Sequence, residues 1–400
     1  MKIVIIGNGL AGTIAAKTLR EMDNASAIEI YAEEKYIYYP RPNLIEFIAG
    51  NLPLARLFAF TERWYGQQRI GLRLATPAKR ILPDSREIEI QGGLRVAYDI
   101  LLLAGGASSF VPPIKGADKN GVFTLRTLDD ALRIIEHLKD HPRATVLGGG
   151  LLGLETARAL KSRGADVEVA EVFPQLLPRQ LDPQGGAILK SEIAKLGIRV
   201  RLGVVTEEII GEADIRGLRF KGGEEIPADL AVVAAGVRPS LNLAREAGLQ
   251  TDRGVLVNDF LETDKPGIYA AGDGVQHAGR VYGIIPASFD QARIVAANIL
   301  GQKTKYQGTI PSSTLKVMGI HLTSIGLANP EGGGYEEVRF EKPEEGIYKK
   351  IVLKDDTLVG AIWMGTKNGV NGISRAVAQK MNVEKWKRDI FEETFDFSLL

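Results

Sequence analysis

The chain has 400 residues, 45% hydrophobic and 25% charged, the make-up of a globular protein too long for one core, so two or three domains are expected. With 50 lysines and arginines against 49 acids there is no basic excess to draw nucleic acid or anionic lipid, and nucleic-acid binding is set aside. Cysteine is absent, which removes disulfides, cysteine-held zinc, iron–sulfur clusters and a thiol nucleophile together.

The first strand is Ile3-Val4-Ile5-Ile6, a continuous apolar run of the kind a buried parallel strand needs. That run is too short for a secretory segment, and no run reaches the roughly 18 apolar residues of a membrane span, so a cytoplasmic protein without membrane contact is expected. Gly7-Asn8-Gly9-Leu10-Ala11-Gly12 follows, and Thr13 to Glu21 reads as a helix. The first glycine allows a tight turn, the second lets the backbone approach a diphosphate, and the third lets helix and strand pack closely. The diphosphate would rest on the helix N-terminus.

Ala27 to Ala32 alternates as a second strand and ends in Glu33-Glu34. Glu33 lies 21 residues past Gly12, near the ~20 expected for an acid that binds a ribose 2′-hydroxyl. A solvated carboxylate after a strand is the plainer alternative, and the turn upstream favours the ribose. In Tyr36 to Leu44 (YIYYPRPNL), Arg41 either reaches the diphosphate or belongs to a packed surface loop. Residues 43–68 read as two helical pieces around Pro53. Short strands follow from Arg73 to Val96, and Ile100 to Leu103 is a buried strand running into Ala104-Gly105-Gly106.

Leu128 to Leu138 reads as a helix. Its His137 and the following His141 have a metal-binding spacing, but no third ligand is in view, so a solvated helix end is preferred and no metal is expected. Thr145 to Leu147 then leads into Gly148-Gly149-Gly150-Leu151-Leu152-Gly153, with Glu155 on the next helix. Val167 to Ala170 is a strand ending at Glu171, 18 residues past Gly153. The whole opening pattern has recurred, which implies two nucleotide sites. No cation follows Glu171 until Arg179, and a carboxylate repels a 2′-phosphate, so NADH is preferred to NADPH. Arg179 to Asp182 either edges an adenine pocket or caps the next helix.

Residues 199–227 return to short strands, and Asp229 to Ala234 runs into Ala235-Gly236. Ile268 to Ala271 ends at Gly272-Asp273-Gly274, where the aspartate is a helix cap or, beside a flavin, a ligand of ribityl hydroxyls. Ala287 to Leu300 is an amphipathic helix. Beyond it Ser312 to Leu327, Ile347 to Lys354 and Leu358 to Met364 read as strands and Gly372 to Met381 as a helix; Trp363 either packs beside a flavin ring or fills their core, and the core is preferred.

In this order, Gly7–Gly12, Ala104–Gly106, Gly148–Gly153, Ala235–Gly236 and Gly272-Asp273 resemble the FAD-dependent pyridine nucleotide–disulfide oxidoreductase superfamily over nearly the whole chain. YIYYPRPNL (36–44), PRQLDPQGG (178–186) and SSTLKVMGIHLTSIG (312–326) resemble its NADH:rubredoxin reductase and nitrite reductase large-subunit branches. Two departures stand out: no cysteine is available beside the flavin, and Glu46 stands where the oxygenase-coupled ferredoxin reductases carry lysine.

The resemblance implies an α/β fold of two Rossmann-like three-layer domains and a C-terminal α+β domain. The FAD domain would span 1–112 and 237–305, the NAD domain 113–236 and the last domain 306–400. Gly7, Gly9, Leu10, Ala11, Gly12, Glu33, Arg41, Ala78, Ala104, Gly105, Arg126, Gly272, Asp273 and Ile285 would hold FAD. Gly148, Gly150, Leu152, Gly153, Glu171 and Gly236 would hold NADH, with Glu155 near the nicotinamide. Lys316 is either a positive charge near the flavin N1–C2=O edge or a surface lysine. The implied activity is hydride transfer from NADH to FAD, then single electrons to a rubredoxin- or ferredoxin-type carrier without a thiol relay. An NADH oxidase or diaphorase and a redox-dependent switch are the alternatives, in a monomer or homodimer.

Overall fold

The computed structural model describes residues 1–310 and 318–400 with their side chains, and the strand Ser312–Val317 by its backbone. The chain divides into two compact units. One comprises Met1–Phe47, Leu52–Ser109 and Val237–Thr309; the other comprises Ile48–Asn51, Phe110–Gly236 and Ile310–Leu400.

The first unit is built on a parallel sheet in the order Ile268–Ala270, Ile100–Leu103, Lys2–Ile6, Ala27–Tyr31, Ile70–Arg73. Lys2–Ile6 lies at its centre, so both its faces are covered, and alternate residues serve opposite layers. Ile3 and Ile5 pack with Ala15, Ala16 and Leu19 of the helix Leu10–Met22 and with Val295, Ala296 and Ile299 of the helix Ile285–Ile299. Val4 and Ile6 pack instead on Ile81, Ile88, Ile90 and Val96 of the antiparallel sheet Ala78–Leu82, Glu87–Ile90, Arg95–Ala97. The result is three layers.

The second unit repeats the arrangement around the parallel order Arg199–Leu202, Asp166–Glu171, Arg143–Leu147, Leu230–Val233, Val122–Phe123. It also holds a five-stranded antiparallel sheet, ordered Ser312–Val317, Ile320–Gly326, Thr357–Met364, Ile347–Lys354, Glu336–Lys342, with the helix Val370–Gln379 on one face. Trp363 is fully buried there, stacked on Phe391 with its Nε1 donating to Asn368 O at 2.8 Å, so it is a core residue. Among the described residues no helix is long and apolar enough to cross a membrane.

Several expectations need correction. The first helix begins at Leu10, not Thr13, because Gly9 is the extended residue that precedes it. Residues 43–68 form three pieces, Asn43–Ala49, Leu54–Arg56 and Glu62–Gln67, because Thr61 supplies a further cap by accepting from Trp64 N at 3.2 Å. Ser312 to Leu327 is a hairpin rather than one strand, folded back where Met318 and Gly319 both take positive φ, 54° and 87°. The strand Glu336–Lys342 was not expected. His137 and His141 stack at 4.1 Å with His137 Nε2 on Asp229 O, and no metal-binding cluster occurs among the described residues.

Candidate functional site

The ends of four strands, Lys2–Ile6, Ala27–Tyr31, Ile100–Leu103 and Ile268–Ala270, come together around the first glycine turn. Gly7 N donates to Tyr31 O at 2.8 Å, Ala104 N to Ile6 O at 2.8 Å and Ala271 N to Leu103 O at 3.0 Å. Gly7 has φ +109°, and a Cβ there would lie 2.3 Å from Ala104 O; a Cβ on Gly12 would lie 2.0 Å from Gly7 O. Gly9 would meet nothing within 4 Å. The outer glycines are thus demanded by backbone approach, while the middle one faces open space. The helix that starts at Leu10 carries no side-chain cap and no acid in its first turn. An open, uncapped and uncharged helix end of this kind fits a diphosphate.

Around it the fold gathers Ala11, whose Cβ would be 2.9 Å from one built on Gly272, and Gly106, whose carbonyl lies 3.0 Å from a Cβ on Gly274. Gly272 N donates to Gln291 Oε1 at 2.7 Å, and Ser288 Oγ donates to Asp273 Oδ1 at 3.4 Å. Gln291 and Ser288 belong to the helix Ile285–Ile299, and no motif in the sequence announced them. Gly105 meets nothing within 4 Å. Glu33 is exposed, with no protein partner for its carboxylate among the described residues. Arg41 is held by Glu34 at 2.8 Å, and Glu34 also accepts from Tyr39 OH, so a diphosphate would compete with that carboxylate for the guanidinium. Ala78 opens the strand that pairs with Glu87–Ile90, and Ile285 opens the helix Ile285–Ile299 with an exposed side chain. Arg126 belongs to the second unit; its backbone N–H donates to Asp130 in the box that caps Leu128–Leu138.

The second glycine turn repeats the first. A Cβ on Gly148 (φ +128°) would lie 2.5 Å from Ala234 O and one on Gly153 2.0 Å from Gly148 O, while Gly150 meets nothing. Gly150 precedes a helix with no side-chain cap and no acid in its first turn. Leu152 is exposed on that turn, and Gly236 (φ +95°) is open. Glu171 is only 5% exposed, and both its oxygens are engaged, by Gly149 N and by Phe173 N at 2.8 Å. The side chains that follow it, Val172 and Phe173, are apolar and exposed. Glu155 lies between Arg158 Nη2 at 3.0 Å and Met318 N at 2.6 Å. Sequence reasoning missed Met318, whose only signal is its place before Gly319 at the tip of a hairpin. The side chain of Lys316 lies outside the described residues.

A third cluster joins the last sheet to the helix Pro183–Lys195. Asp182 caps that helix through Gly185 N at 3.0 Å. Its Oδ2 also receives Tyr348 OH at 2.5 Å, Lys350 Nζ at 3.1 Å and Arg339 Nε at 3.4 Å. Burial opposes its charge, but hydrogen bonds from Tyr348, Gly185 and Lys350 outweigh that and hold the carboxyl below the usual range. Burial, reinforced by Asp182, pushes the Tyr348 phenol well up.

Residues 1–292 match the family model described as pyridine nucleotide-disulphide oxidoreductase, and residues 311–381 match the rubredoxin NAD+ reductase C-terminal domain. The nitrite reductase [NAD(P)H] of Bacillus subtilis is 35% identical over 96% of this chain and 48% of its own length. The chain spans about half the length of this and similar curated relatives. NADH-rubredoxin oxidoreductase of Clostridium acetobutylicum is 32% identical, covering 92% of this chain and 93% of that one. Its crystal structure has a TM-score of 0.83 at 28% identity, over 96% of each chain. The covalent putidaredoxin reductase–putidaredoxin complex has a TM-score of 0.89 at 26% identity, over 99% of this chain and 97% of that one. The chain therefore belongs to the pyridine nucleotide-disulphide oxidoreductase family, whose members use FAD and a pyridine nucleotide.

Proposed function

We propose that the chain is an FAD-dependent NADH oxidoreductase that delivers electrons to a small carrier protein of the rubredoxin or ferredoxin type, in the cytoplasm. The observation that carries this reading is the pair of equivalent turns, each with two glycines closed against backbone and a middle glycine left open. FAD, when bound, supplies a centre that accepts the hydride pair from NADH and returns electrons one at a time. The first turn holds the FAD diphosphate, with Glu33 available to a ribose and Asp273 to the ribityl chain. The second turn holds NADH, and Glu171 binds its adenosine ribose and repels a 2′-phosphate. With no cysteine in the chain, electrons leave without a thiol relay. The match to a rubredoxin reductase C-terminal domain supports a protein acceptor over oxygen.

The test is anaerobic reduction by NADH followed by oxidised carriers. Flavin absorbance should bleach with NADH and return on adding a rubredoxin or ferredoxin. Return with air alone, at a rate the carriers do not improve, makes oxygen the acceptor. Bleaching that no acceptor reverses over many cycles points to a switch.

Glu171→Ala should raise the KM for NADH about tenfold, the loss expected of a charge-assisted hydrogen bond, with kcat little changed. The preference for NADH over NADPH should narrow as the repulsion goes. Steady-state kinetics with both nucleotides measures this, and an unchanged KM removes Glu171 from the ribose.

A further inference from the structure

The two turns are fixed at their second residue, the one after the first glycine, by different means. In the second, that residue is Gly149, which has no side chain; Glu171 holds its N–H, and Leu177 N donates to its carbonyl at 3.3 Å. In the first, it is Asn8, held through its side chain. Asn8 Oδ1 accepts from Thr13 Oγ1 at 3.1 Å and from Tyr65 OH at 3.2 Å, and Asn8 Nδ2 donates to Tyr36 O at 3.4 Å. Thr13 Oγ1 also lies 3.3 Å from Asn8 O. These contacts come from three segments: the helix after the turn, the loop at Tyr36 and the helix Glu62–Gln67.

Tyr65 is well placed to act as an anchor. It is 2% exposed, packs edge-on against Trp64 at 5.0 Å, and Trp64 stacks on Phe60 at 4.1 Å. Burial raises the phenol's pKa, so its hydroxyl remains a donor at neutral pH. Thr13 is fully buried. The residues on either side of Asn8 are glycines with wide backbone freedom, so a fixed Asn8 side chain restrains the amides that would face the diphosphate. All the groups holding it are neutral and introduce no charge beside an anion.

We propose that Tyr65 and Thr13, acting through Asn8, are positioning residues for the diphosphate at the first glycine turn. The inference rests on that turn holding FAD. Preorganising the turn before FAD arrives lowers the ordering cost of binding, so the clamp acts on FAD affinity and leaves the second turn untouched.

The experiment measures FAD binding to deflavinated full-length protein by flavin fluorescence, with the melting midpoint of the FAD-free protein alongside. Tyr65→Phe should raise the FAD dissociation constant about fivefold, the effect of losing one neutral hydrogen bond, with the FAD-free midpoint and the KM for NADH unchanged. Asn8→Ala should raise it at least as much, and adding Tyr65→Phe to Asn8→Ala should cost nothing further, since the interaction is already gone. Thr13→Val should weaken binding and Thr13→Ser restore it, which keeps the test alive if a Tyr65 variant does not fold. A wild-type dissociation constant retained in Tyr65→Phe and Thr13→Val, or additive effects of Tyr65→Phe and Asn8→Ala, overturns the clamp alone. A wild-type protein that takes up no FAD overturns both the clamp and the FAD reading beneath it.

Discussion

Gly153→Ala should leave the purified protein yellow but raise the KM for NADH by on the order of a hundredfold, while Gly12→Ala should give protein that retains little or no flavin. The two substitutions are chemically identical and place a methyl 2.0 Å from a carbonyl oxygen of the first glycine in their own turn. Real Cβ contacts essentially never fall below 3.0 Å, and the obstacle is backbone, so the helix itself has to move by about 1 Å. At Gly153 retreat is further hindered by Ala234 Cβ at 3.3 Å. A displacement of that size in the groups that orient a ligand costs roughly a hundredfold. Bound flavin per chain and NADH kinetics are read on each variant. Loss of both cofactors in both variants would mean that the turns are not independent sites.

Asp182→Ala should destabilise the second unit by about 3–5 kcal/mol, because it strips the main partner from a lysine with no access to water. Lys350 is 1% exposed and would keep only Asn329 at 3.1 Å and the longer contact to Glu337 at 3.5 Å. The same change removes the cap of Pro183–Lys195 and the acceptor of the buried Tyr348 hydroxyl. Urea unfolding of the full chain measures the loss. The carboxyl is held below its unfolded value, so its contribution is complete above the ordinary carboxylate pKa of about 3.9 and drains away as pH falls through the folded value. Asp182→Asn keeps an acceptor but not the charge. Below about pH 4 the wild type should therefore lose stability faster than the asparagine variant. Parallel curves would show that the charge on Asp182 contributes nothing.

The parallel strands were legible in the sequence because a strand buried on both faces has to be apolar at every position, as Ile3–Ile6 and Ile100–Leu103 are. The paired glycine turns were legible because close backbone approach tolerates no other residue. Glu336–Lys342 was missed because an edge strand with charges at five of its seven positions looks like solvated loop. Asp182 could not be resolved from its neighbours, since Tyr348, which engages it, lies 166 residues away. Asn8 gave no sign of being held, for Tyr65 is 57 residues downstream in a helix too short to show a period. Contacts that depend on the folded chain meeting itself leave little local trace.

The strand order of the first unit also carries a message about synthesis. Ile268–Ala270 seals the outer edge of Ile100–Leu103, yet more than a hundred and fifty residues of polypeptide leave the ribosome between them. Until then, Ile100–Leu103 exposes an apolar, hydrogen-bonding rim, an invitation to mispairing during translation. Gly272 and Asp273 are made at the same late moment, so the surroundings of the first glycine turn are completed only after the whole of the second turn has been synthesised.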